Sequence, residues 1–141
     1  MKPQISAQEL GLDPASRHEK DLFAWLIASF LFGKRIQQHI AKSAYQVIIE
    51  NNQVDTVQKM SACSHRQLVS MLGEGRYARY DESTATRLTA LCAGINQNYG
   101  GEVRNLMVAS ADQRELAMRL QAFDGIGPKT AEIFIREAWP G

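Results

Sequence analysis

Residues 22–32, Leu-Phe-Ala-Trp-Leu-Ile-Ala-Ser-Phe-Leu-Phe, are apolar on nearly every side of any helix they form. A helix without a polar face has to be surrounded by protein or lipid. About ten residues cannot cross a bilayer core that needs ~20. The segment therefore predicts a central buried helix. Other stretches carry a single apolar stripe at helical spacing: Ile36, Ile40, Ala44, Val47 and Ile48 form one, and Leu88, Leu91, Cys92 and Ile95 another. Strand signals are absent, since residues 47–49 are too short and sit inside a helical pattern. The reading is an all-α domain with helices at residues 6–11, 17–32, 34–51, 54–62, 65–72, 83–99, 111–122 and 128–138.

A chain of 141 residues predicts one domain spanning 1–141, large enough for a core without disulfides or metals. Cys63 and Cys92 fall in separate predicted helices, read as core thiols, and neither has a partner at metal-ligand spacing. Cys63-Ser64-His65 is too tight for a usual zinc pair, and His18 and His39 lack acidic or cysteine companions, so no metal site is expected. Lys2 and Pro3 lead into a capping box at Ser6 and Glu9 rather than an uncharged apolar run. This predicts no signal peptide, no membrane association and a cytoplasmic location.

Residues 120–131, Leu-Gln-Ala-Phe-Asp-Gly-Ile-Gly-Pro-Lys-Thr-Ala, carry the most chemistry. The helix before them has Ser110 as a candidate N-cap, with Gln113 three residues on. Gly125-Ile126-Gly127 then breaks it: two glycines permit a tight turn, and Ile126 can point back between the helices. Pro128 suits the first position of the next helix, whose leading N–H groups are left unpaired and attract anions. In that helix Ala131, Phe134, Ile135 and Ala138 form the expected buried stripe, whereas Lys129, Glu132 and Arg136 lie on another face.

The order hydrophobic, Gly125, hydrophobic, Gly127, any residue, Lys129, Thr130, Ala131 resembles the helix-hairpin-helix motif of the endonuclease III-like DNA glycosylases, here over residues 111–138. Weaker likenesses extend upstream, through residues 22–44, the Gly-x-Tyr connection within residues 73–95, and Gly100-Gly101-Glu102-Val103, read as a linker into the motif. The resemblance implies the helical domain of such a glycosylase, acting in base-excision repair. It implies hairpin amides on a DNA phosphate, often with a monovalent cation on hairpin carbonyls, and Lys129 as the amine that attacks C1′ of the damaged nucleotide. Gly125, Ile126, Gly127, Lys129 and Thr130 are the implied DNA-binding residues there.

Three departures bear on mechanism. Asp124 stands where the family usually has proline. Lys34 stands where many members place a glutamine that fills the gap left by the flipped nucleotide. The family's aspartate would fall past Gly141, as would the cysteines of its [4Fe–4S] cluster, so neither the aspartate nor the cluster is expected here. Trp139 and Pro140 are then expected to lack packing partners, which favours self-association or a partner chain.

Charge limits the mode of binding. Sixteen basic against fifteen acidic residues give a net charge of +1, which excludes binding nucleic acid by bulk electrostatics. Two local clusters remain, Lys34-Arg35 and Arg76 to Arg79 with Tyr77 and Tyr80 interleaved; each could contact phosphate or stack on an unpaired base. Lys129 could act as a Schiff-base nucleophile only if desolvation or neighbouring positive charge lowered its pKa. The readings are a glycosylase or abasic-site lyase relative, a non-catalytic DNA-binding module, and a helical protein-interaction domain.

Overall fold

A computed structural model describes residues 5–141, which leaves Lys2 and Pro3 outside the described residues. Two short 3-10 turns, Gln8–Leu10 and Pro14–Ser16, lead into α1, Glu19–Phe32. The Ser6 and Glu9 pair is reciprocal, each backbone N–H donating to the other's side chain. Every residue of α1 from Leu22 to Phe32 is at most 9% exposed, so the apolar run is the central helix. Burying each of its large side chains stabilises the fold by about 1.5–3 kcal/mol. Packed around it are α2 (Gln38–Tyr45), α6 (Val103–Ala109) and α8 (Pro128–Ala138). Outside these lie α3 (Val57–Ser61), α4 (His65–Glu74), α5 (Asp81–Tyr99) and α7 (Gln113–Gln121). No strand occurs among the described residues, and none of their helices is long and apolar enough to cross a membrane.

Several boundaries differ from the sequence expectation. The helix expected over 34–51 begins only at Gln38, because Lys34 reaches sideways to another part of the chain and Gln37 adopts extended dihedrals as the N-cap. It then widens into a π-helical turn, Gln46–Asn51, with Val47, Ile48 and Ile49 all buried. The Gly-Gly-Glu-Val segment is a corner rather than a linker, with Gly100 and Gly101 left-handed at φ 63° and 81°. It opens α6, a helix the sequence did not announce. The cap of α6 comes from far away: both carboxylate oxygens of Glu19 accept N–H groups, from Val103 and Arg104, at 2.7 Å each.

The N-cap of α7 is Asp112, whose carboxylate accepts the Glu115 N–H at 2.8 Å. Ser110 is buried instead, and its hydroxyl donates to the Leu106 carbonyl within α6. In α8, Ala131, Phe134 and Ala138 are buried as the stripe predicts, together with Thr130 and Ile133, while Ile135 is only half-buried. Three hydrogen bonds fasten α8 to distant chain: Trp25 Nε1 donates to the Phe134 carbonyl at 3.2 Å, the Arg136 guanidinium to the Ile5 carbonyl at 2.7 Å, and the Ala7 N–H to the Glu137 carboxylate at 3.0 Å. Trp139 also has partners, its ring lying under the Arg17 guanidinium and its carbonyl accepting from Gln113.

Candidate nucleic-acid interface

The turn between α7 and α8 is built from both ends. Phe123 packs onto α5 at Gly94, where a Cβ would come within 2.6 Å of its ring, and its carbonyl accepts the Ile126 N–H at 3.2 Å. Ile126 is 5% exposed and points back into the core. The two glycines do different work. Gly125 has φ 88°, and a Cβ there would lie 2.6 Å from Arg87 Cδ and 3.2 Å from Phe30 Cζ. Gly127 has the ordinary extended dihedrals of an N-cap, and a Cβ there would meet nothing within 4 Å. Gly125 is needed by the fold, whereas the bare edge at Gly127 faces open space.

That open space lies at the start of α8. The Ala131 N–H donates to the Gly127 carbonyl, Pro128 has no N–H, and the backbone N–H groups of Lys129 and Thr130 have no acceptor among the described hydrogen bonds. The Lys129 side chain is exposed and in no hydrogen bond or ion pair among the described residues. Thr130 is different. The whole residue is 2% exposed, and its side chain is so close to Gly33 that a Cβ on that glycine would come within 2.1 Å of Oγ1. Thr130, named among the DNA-binding residues from the sequence, is thus packed away against the end of α1.

Lys34 and Arg35 leave α1 directly below this turn. The Lys34 ammonium donates to the Gly125 carbonyl and lies 4.5 Å from the centre of the Phe30 ring. Its position on a hairpin carbonyl sets it where an electropositive group suits the turn. Burial lowers the Lys34 pKa, the nearby Arg87 guanidinium lowers it further, and Asp124 pulls it back up. Arg87 Nε is 3.6 Å from the Asp124 carboxylate, whose side chain is 78% exposed. The acidic residue at the turn is thus already opposed by a cation.

Lys34, Arg35, Tyr80, Thr84 and Arg87 together line a pocket of about 200 Å³. Arg87 was not among the sequence candidates, because its link to Lys34 runs between α5 and the end of α1. Its helical face gave no signal except charge.

The second cluster divides. Tyr80 is 43% exposed, with Arg79 over its ring, and reaches the pocket. Arg76 is exposed in a left-handed conformation at φ 66° and does not line that pocket. Tyr77 is fully buried, so its ring belongs to the core and cannot stack on a base. Its hydroxyl is buried, and the nearby Thr84 side chain approaches it without normal hydrogen-bond geometry. Burial pushes the phenol up to about 12, and Thr84 opposes this.

No group of three or more His, Cys, Asp or Glu side chains able to hold a metal occurs among the described residues. Comparison with protein families, curated proteins and solved structures finds no match for the chain.

Proposed function

We propose that this chain binds the backbone of duplex DNA through the Gly125-Ile126-Gly127 turn and the start of α8, in the manner of the helix-hairpin-helix glycosylases that residues 120–131 resemble. One observation carries the reading: the unpaired N–H of the exposed Lys129 lies beside a glycine edge with no atom within 4 Å of a Cβ position at Gly127. A phosphate oxygen needs that close approach to backbone donors. Lys34 and Arg35 flank the turn and add local charge in a chain of net charge +1. Gly127→Val tests this. A Cβ at Gly127 meets nothing within 4 Å, so the substitution should spare the fold, block the phosphate and lower salt-dependent duplex affinity about tenfold or more. Unchanged affinity would place the DNA site elsewhere.

Within this reading, Lys129 is the candidate Schiff-base amine of an abasic-site lyase acting in base-excision repair. Its exposure favours the second form, a non-catalytic DNA-binding module, because an activated lysine nucleophile sits in a desolvated pocket or beside another cation, and this side chain stands in the open. Borohydride reduction in the presence of abasic-site DNA separates the two. A covalent adduct lost in Lys129→Ala marks the lyase. Intact DNA binding without an adduct marks the module.

A further inference from the structure

The pocket beside the turn holds three cationic side chains with little to neutralise them. Arg35 is in no hydrogen bond or ion pair among the described residues, and Arg87 has only the 3.6 Å contact of its Nε with the exposed Asp124. Arg87 lies close enough to Lys34 to disfavour the charged form of the lysine. Like charges held together in a concave site are relieved by a bound anion. Lys34 is also fixed in place. Lys34 is held by the Gly125 carbonyl and the Phe30 ring, and Arg87 Cδ lies against Gly125. Thr84, in the first turn of α5, forms one wall, and the exposed ring of Tyr80 stands at the rim.

We propose that this pocket binds a phosphate monoester carried by a nucleoside, with the dianion among Lys34, Arg35 and Arg87 and the nucleoside against Tyr80. A monoester fits better than the diester of a continuous strand for two reasons. It carries nearly two charges near neutral pH, against three cations and one acidic residue. It also has a single ester arm, so it enters a pocket end-on, whereas a diester must lead two arms out. Guanidinium forks and an ammonium are the side chains suited to such oxygens, and an aromatic face accepts any base.

The phosphate could belong to a free nucleotide or to the phosphorylated end of a DNA strand, and the site does not rest on the hairpin reading. Calorimetric titration with thymidine 5′-monophosphate, inorganic phosphate and thymidine tests it. The nucleotide is expected to bind saturably, inorganic phosphate more weakly and thymidine not at all. Arg35→Gln, on an exposed side chain that the fold does not use, and Arg87→Gln should each weaken nucleotide binding about tenfold. Nucleotide binding that is absent, matched by thymidine, or unchanged in both variants overturns the proposal.

A nicked duplex with a 5′-phosphate, compared with a 5′-hydroxyl, identifies the source. A preference for the phosphate that disappears in Arg35→Gln assigns a strand end. Equal binding of the two duplexes, with the nucleotide still bound, assigns a free nucleotide. Gly127→Val keeps nucleotide binding even where it abolishes duplex binding, so failure of either reading is visible separately.

Discussion

The two glycines of the turn should respond to alanine in opposite ways. At Gly125 the φ of 88° costs a residue with a Cβ about 1–2 kcal/mol. The added methyl would also lie 2.6 Å from Arg87 Cδ and 3.2 Å from Phe30 Cζ. Arg87 can swing away, losing an exposed ion pair worth at most about 1 kcal/mol. Phe30 is fully buried and has to shift within a packed core, which adds a similar amount. Gly125→Ala should therefore destabilise the fold by about 2–3 kcal/mol.

At Gly127 the backbone is extended and the Cβ position open. Alanine is a poorer N-cap than glycine by about 0.5 kcal/mol, but restricting the unfolded chain returns about 0.4–1 kcal/mol. The net change should be near zero. Urea unfolding followed by circular dichroism at 222 nm reads both. With a slope of about 1–3 kcal/mol/M, Gly125→Ala should lower the midpoint by roughly 0.7–3 M and Gly127→Ala should scarcely move it. Equal shifts, or a larger loss at Gly127, would refute the assignment of one glycine to the fold and the other to an open edge.

Three further outcomes follow from buried groups. Tyr77→Phe removes a buried hydroxyl that Thr84 approaches without normal hydrogen-bond geometry and should raise stability by about 1 kcal/mol; a loss of that size in urea unfolding would mean that the contact with Thr84 is a hydrogen bond. Burial pushes the Cys92 thiol up to about 12 and raises that of the half-buried Cys63 less. Iodoacetamide at pH 8 should accordingly label Cys63 in the native protein and Cys92 only on unfolding, as read by mass spectrometry. Lys34 has its pKa lowered from 10.5 by burial and by Arg87. Between that lowered value and 10.5 the unfolded chain holds a proton the folded one has released, so this group adds stability as pH rises. The wild-type urea midpoint should climb relative to that of Lys34→Met across that window, and parallel pH profiles would contradict the burial of the ammonium.

Features set by neighbours within a turn or two of chain were legible in the sequence. The all-round apolar run of residues 22–32 had to become a buried helix, because no rotation of it offers water a polar face. The break at Gly125 to Pro128, the return of Ile126 into the core and the unpaired start of α8 follow from backbone freedom at glycine and the fixed φ of proline. What came from distant chain was not legible. Glu19 caps α6 across 84 residues, Thr130 is buried because Gly33 leaves it room, and Tyr77 is consumed by the core although its neighbours are charged. Arg87 joins Lys34 because α5 passes the end of α1, bringing two like charges together at a turn neither belongs to. Helical periodicity and capping depend on contacts at i+3 and i+4, so a sequence can display them. The placement of one surface against another depends on how the helices fill the space around α1, and only the assembled fold decides which polar groups that packing buries and which charges it crowds together.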